Sequence, residues 1–149
     1  MERQIKFRGK QINGEWAYGD LLRIGGGCII YIGSKTETQT PDIPKESNVA
    51  VELFDNDIAI VIPSTLGQYT GLTDRNGKEI YEGDIISLRD YIAEVRWNSN
   101  LSAFCIRFSF ESELGIKPLG SWIDRRRRCK VIGNIHDNSE LIPNQPTEV

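Results

Sequence analysis

Three groups of side chains in this sequence have the chemistry to act. Asp20, Asp74 and Asp84 are carboxylates close to turn signals. Two such acids brought into one cleft could serve as general acid and base in a hydrolytic reaction. His136, the only histidine, stands beside Asp137 and would be the proton carrier of a Ser–His–Asp relay. Arg125, Arg126, Arg127 and Arg128, with Lys130, put five cations into six residues. Such a run repels itself unless water or a polyanion screens it. Trp122 lies just upstream, and an aromatic beside cations is a stacking surface for unpaired bases.

Each group also has a plainer reading. Asp20 and Asp84 both follow a glycine, in Gly19-Asp20 and Gly83-Asp84. Glycine accepts positive φ and aspartate bonds nearby backbone N–H groups, so these pairs are expected to make tight bends rather than catalyse. No G-x-S-x-G elbow accompanies His136, and neighbouring His and Asp side chains on a strand point to opposite faces. A surface loop is its expected place. Some of the arginines can pair with surface acids while the rest stay solvated. Gly25-Gly26-Gly27 could cradle a phosphate, but no G-x-G-x-x-G or G-K-[ST] pattern surrounds it. Cys28, Cys105 and Cys129 are far apart and form no Cys-x-x-Cys pair, so reduced, packed thiols are expected. No cofactor, metal or small-molecule ligand is predicted.

The elements that must hold these residues are strands. Tyr91, Ala93, Val95 and Trp97 alternate with Glu94 and Arg96; after Asn98-Ser99-Asn100, Phe104, Ile106, Phe108 and Phe110 alternate with Arg107. This predicts a hairpin with a shared apolar face, led on its second strand by Ser102. Ile58, Ile60 and Ile62 mark a further strand stopped by Pro63, and Val131, Gly133 and Ile135 one face of another. Trp16, Tyr18 and Tyr81 join the aromatics expected in the core. Asn13-Gly14 and Asn76-Gly77 predict type I′ turns, and the glycine triplet predicts a hairpin between "LLRI" and "CIIYI". Helix is expected only as one turn near residues 138–142. Residues 34–48, polar with Pro41 and Pro44, read as a loop.

With 149 residues, 39% hydrophobic and 26% charged, the chain is globular and long enough to build a core. Its net charge of −3 argues against a surface wholly given to nucleic acid. Met1-Glu2-Arg3-Gln4-Ile5-Lys6 is not an apolar stretch and no apolar run nears the ~20 residues of a membrane span, so neither a leader nor a span is expected.

A repeat runs through the turns. Asn13-Gly14-Glu15-Trp16-Ala17-Tyr18-Gly19-Asp20-Leu21-Leu22 matches Asn76-Gly77-Lys78-Glu79-Ile80-Tyr81-Glu82-Gly83-Asp84-Ile85-Ile86, with one extra residue before Gly-Asp in the second. Turn, short strand, tyrosine, Gly-Asp corner and aliphatic pair would then be a unit used twice. Small bent barrels need such corners.

At these residues the sequence resembles the YopX family of phages and prophages. Leu66-Gly67-Gln68-Tyr69-Thr70-Gly71-Leu72, Asp74 and the run from Asn76 to Ile86 carry the likeness. Ile5-Lys6-Phe7-Arg8-Gly9-Lys10 matches the family's start, and Val131-Ile132-Gly133-Asn134-Ile135 with Asn138 and Glu140-Leu141 its finish. The resemblance implies SH3-like small β-barrels and action in a bacterial host cytoplasm. It implies no catalytic residues.

The expectation is therefore an all-β protein with SH3-like barrel lobes: residues 1–62, residues 63–143 and a frayed tail at 144–149. Its expected work is that of a non-enzymatic accessory module binding a protein or a second copy of itself. Nucleic-acid binding through Trp122, Arg125–Arg128 and Lys130 is the alternative, and hydrolysis a more distant one.

Overall fold

The structure is a computed structural model that describes residues 2–33, 57–108, 115–123 and 129–142. Residues 34–48, Phe110, Arg125–Arg128 and the tail lie outside the described residues. The chain divides into two compact units, one of residues 6–66 and one of residues 1–5 with 67–149.

The 6–66 unit holds β1 (Phe7–Lys10), β2 (Trp16–Ile24), β3 (Gly27–Tyr31) and β4 (Ile58–Val61). They lie in the order β4-β3-β2-β1, all antiparallel. A 3-10 turn, Pro63–Thr65, follows β4, as Pro63 forbids further ladder bonding. The sheet curls. Ile62 N–H donates to the Lys10 carbonyl (2.8 Å), and Lys10 N–H donates to Thr65 Oγ1 (2.8 Å). Ala17, Cys28, Ile30, Ala59 and Val61 form the core, flanked by Phe7, Leu21, Ile32 and Leu66. Gly9 lies against Val61, where a Cβ would come within 2.6 Å of Val61 Cγ2.

The 67–149 unit opens with a hairpin of β5 (Gly67–Thr73) and β6 (Glu79–Tyr81). A five-stranded antiparallel sheet follows, in the order β10-β9-β8-β7-β11. Its strands are β7 (Asp84–Leu88), β8 (Tyr91–Asn98), β9 (Ala103–Phe108), β10 (Ile116–Pro118) and β11 (Cys129–Asn134). A single helical turn, α1 (Leu119–Trp122), and a 3-10 turn, Ser139–Leu141, complete the described elements. Ile86, Leu88, Ala93, Val95, Ile106, Phe108, Cys129 and Val131 share the core with Ile80 and Leu119. The alternation of β8 and β9 has the expected phase, with Val95 opposite Ile106 and Ala93 opposite Phe108.

Several expectations change. The fold is all-β and antiparallel, but among the described residues the sheets do not close into barrels. The Asn-Gly turns are not type I′. Gly14 and Gly77 take φ +89° and +81°, whereas neither Asn13 nor Asn76 has positive φ. Gly14 N–H donates to Gln11 O and Gln11 N–H to Glu15 O; Gly77, Asp74 and Lys78 repeat that pattern. This is a three-residue loop, a type I turn closed by a left-handed glycine. The I′-like conformation falls instead at Gly25 and Gly26, with φ +56° and +85°, between β2 and β3.

The Gly-Asp corners are also unequal. Gly83 ends a turn at φ +87°, but Gly19-Asp20 runs straight through β2. Gly19 serves close approach: a Cβ there would lie 1.9 Å from the Tyr31 carbonyl oxygen. Tyr18 and Trp97, expected in the core, are 47% and 45% exposed. Trp97 sits at the end of β8, edge-on to Phe104 at 5.1 Å. Trp16 is half-buried under the Arg8 guanidinium, 4.8 Å from its ring centre. Ser102 belongs to the turn, at φ +48°, so β9 starts one residue later. The β11 alternation breaks at a register shift between Val131 and Gly133. Finally, β4 buries Ala59 and Val61 and turns Ile60 outward.

Candidate functional site

The run from Gly67 to Ile86 holds two of the three acids that the sequence singles out, Asp74 and Asp84, so its chemistry is built here from each side chain. Asp74 opens the turn between β5 and β6 and is buried. Its Oδ1 accepts the N–H groups of Asn76 (2.8 Å) and Lys78 (2.9 Å). Its Oδ2 accepts the N–H of Val131 (3.0 Å) on β11. Beside it, Arg75 N–H donates to the Cys129 carbonyl (3.0 Å). The turn thus occupies the outer edge of β11, which would otherwise offer unpaired backbone groups.

Burial alone raises the Asp74 pKa. The N–H groups of Val131, Lys78 and Asn76, with the Lys78 charge, reverse that and hold the carboxyl below its ordinary value. A carboxylate so acidified, with both oxygens accepting backbone N–H groups, is a poor proton carrier near neutral pH.

The other polar residues of the run serve the backbone too. Asp84, 1% exposed, accepts the Tyr81 N–H at 2.8 Å and closes the turn between β6 and β7. The same turn is held by Gly83, whose N–H donates to Val95 O and whose carbonyl accepts the Ile135 N–H. Gln68 N–H donates to Glu82 Oε1 (3.0 Å) and Thr70 Oγ1 donates to Ile80 O (2.8 Å). Tyr69 and Tyr81 are cross-strand partners with ring centres 5.5 Å apart. Asp20 lies in the other unit, exposed on β2.

His136 sits in the turn after β11, where its backbone N–H donates to Asn134 Oδ1 (3.0 Å). Trp122 packs edge-on against Phe108 at 5.0 Å, so one side of its indole is taken up by the core. Lys130 is exposed on β11. The three cysteines are free and buried in β3, β9 and β11. Burial raises the thiol pKa of Cys105; burial and then the Asp74 charge raise that of Cys129. Among the described residues no three His, Cys, Asp or Glu side chains gather as a metal site. No helix among them is long and apolar enough to cross a membrane.

The interlocked run from Gly67 to Ile86, tied to β11 through Asp74, is the motif that carried the resemblance. The family model described as YopX protein matches residues 6–143, nearly the whole chain. The chain belongs to the YopX family. No curated protein matches it. The signature stretch of this YopX protein is thus spent on turns and on the edge of β11.

Two features escaped the sequence reading. Glu94, placed by alternation on a solvent face, is buried and paired with Arg96 Nε at 3.2 Å. Arg107 stands directly opposite it on β9. The second is an apolar outer face in the 6–66 unit. Leu22, Ile29 and Ile60 form one cross-strand row on the side away from Ile30 and Val61. Leu22, Ile24, Ile60 and Ile62 are all exposed. The signal was available: β4 is apolar at every position, which suits burial on both faces.

Proposed function

We propose that this YopX protein is a non-enzymatic accessory module of a phage or prophage, working in the host cytoplasm by binding another protein or a second copy of itself. The observation that carries the reading is the outer face of the 6–66 sheet. A cross-strand row of exposed Leu22, half-buried Ile29 and exposed Ile60, extended by exposed Ile24 and Ile62, is more than the scattered apolar side chains of an ordinary surface. Apolar side chains aligned on a rigid sheet suit a partner that brings an apolar surface of its own. The commitment of Asp74 and Asp84 to backbone N–H groups supports a module without a reaction centre. The curl of the 6–66 sheet, drawn together at Lys10 and Ile62, supports the expected likeness to SH3-like barrels.

The test is affinity capture from infected or lysogenic cells, run with the wild-type chain and with Leu22→Asp/Ile24→Asp. A protein retained by the first and lost by the second supports the reading. Capture indifferent to the substitutions removes the outer face from consideration.

A second reading assigns nucleic acid to the basic run. Lys130, the second residue of β11, is exposed, and Arg125–Arg128 lie immediately before Cys129 in the chain. Replacing the four arginines with serine should then weaken binding to DNA or RNA and flatten its dependence on salt. Equal affinities for the two chains at low and high salt would end this reading.

A further inference from the structure

We propose that two copies of the chain pair antiparallel through the outer edge of β4, about a two-fold axis at Ala59. The proposal deepens the interaction-module reading and rests on it.

The backbone phase of β4 follows from its neighbours. Ile32 N–H donates to the Asp57 carbonyl, so residue 57 bonds toward β3. In an antiparallel ladder such bonding alternates, so Ala59 and Val61 also bond toward β3, and Ile58, Ile60 and Ile62 present their N–H and C=O outward. Ile62 bears this out. Its N–H reaches the Lys10 carbonyl, and its own carbonyl accepts from Thr65. Ile58 and Ile60 are left at a strand that, among the described residues, has β3 as its only ladder neighbour.

Within its four residues, Ile58–Val61, this edge lacks the charge, proline and bulge that commonly protect one, and its register with β3 is regular. The edges of the five-stranded sheet differ: β10 is three residues long and ends in Pro118, and the Asp74 turn occupies β11. The outward side chains of β4 are apolar as well, with Ile60 69% exposed.

A two-fold axis at Ala59 makes this edge complementary to itself. Ile58 then stands opposite Ile60 of the second copy, and Ile60 opposite its Ile58. Each pair exchanges both backbone bonds, while Ile62 keeps its bond to Lys10. Ile58 and Ile60 meet as aliphatic cross-strand pairs, and no like charges come together along Ile58–Val61. The row Leu22–Ile29–Ile60 continues across the axis into the second sheet. The contact is isologous, so it closes as a dimer rather than a filament. A ladder this short gives a transient dimer, with a dissociation constant on the order of 10–100 μM.

Sedimentation velocity over two decades of concentration around that value tests the pairing. The wild-type chain should pass from monomer to dimer. Ile60→Pro removes an outward N–H and the isoleucine side chain but no bond to β3, since proline is tolerated where the N–H faces away from the ladder. It should raise the dissociation constant at least tenfold, with an unchanged circular dichroism spectrum. A cysteine pair provides a measurement that does not depend on how the proline variant folds. Directly opposed residues lie about 5.5 Å apart between Cα atoms, within disulfide range. The native thiols are buried. An oxidised mixture of Ile58→Cys and Ile60→Cys chains should therefore yield the mixed disulfide faster than either variant alone. A wild-type chain that stays monomeric throughout overturns the proposal, as does a dimer in which the mixture cross-links no faster. If capture of a protein still depends on Leu22 and Ile24 in either case, the module reading survives and the β4 pairing alone fails.

Discussion

Replacing Asp74 with alanine removes the acceptor that joins the turn at residues 74–78 to β11. The cost follows from the three donors it leaves behind. The N–H groups of Asn76 and Lys78 belong to exposed residues and can turn to water. Each such loss costs about 0.5–1 kcal/mol. Val131 is buried, so its N–H finds no such replacement, and an unsatisfied buried donor costs about 1–3 kcal/mol. The sum is about 3 kcal/mol. With a urea m-value of about 2 kcal/mol/M, the unfolding midpoint should fall by about 1.5 M. Hydrogen exchange at the Val131 amide should accelerate well beyond that of Ile106, which lies deep in the same core. A midpoint within about 0.3 M of the wild type, or unchanged protection at Val131, would refute the claim that this carboxylate holds the edge of β11.

The pH dependence of the same residue follows from its lowered pKa. A carboxyl whose folded pKa lies below its unfolded value of about 3.9 stabilises the fold above that value and loses the contribution as pH falls through the folded one. The stability gap between the wild type and Asp74→Asn should therefore be full at pH 7 and shrink on acidification; a gap constant to pH 2 would contradict it. Gly19→Ala forces a Cβ onto the Tyr31 carbonyl and should cost more than about 2 kcal/mol, whereas Gly14→Ala, with open space around it, should cost about 1 kcal/mol from its φ alone. Urea melts of both variants compare them directly. Ile106→Ala, at the centre of the larger core, should lose about 2–5 kcal/mol by the same measurement. Burial should keep Cys28, Cys105 and Cys129 unreactive toward a disulfide reagent until denaturant is added, and a fast-reacting thiol in the native protein would argue against their placement.

Local signals in the chain reached as far as local physics does. The β8–β9 hairpin was legible because alternation of apolar and polar residues sets the phase of a strand on its own. Asn13-Gly14 and Asn76-Gly77 were legible as turns, but not their type. A type I turn with a left-handed glycine and a type I′ turn both welcome Asn-Gly, and the choice depends on how many residues the flanking strands leave in the loop. The repeat was legible and yet half misread. Gly83 and Gly19 occupy matching places in sequence, but one relieves a turn and the other a backbone contact with Tyr31, twelve residues further on.

Asp74 shows the same division within a single side chain. Its Oδ1 bonds to Asn76 and Lys78 close by in sequence, an arrangement that aspartate before a turn predicts by itself. Its Oδ2 bonds to Val131, whose position beside that turn depends on the path of the whole sheet.

By itself, then, the sequence determined that the chain would form strands, where it would reverse and which family it belongs to. Those properties rest on backbone preference and period-two burial, which operate within a few residues. Tertiary structure alone decided which face of β4 would be buried. Ile58, Ala59, Ile60 and Val61 are apolar on both sides, so alternation cannot choose between them. The small residues Gly9 and Ala17 leave space for Ala59 and Val61, and the isoleucines are turned outward.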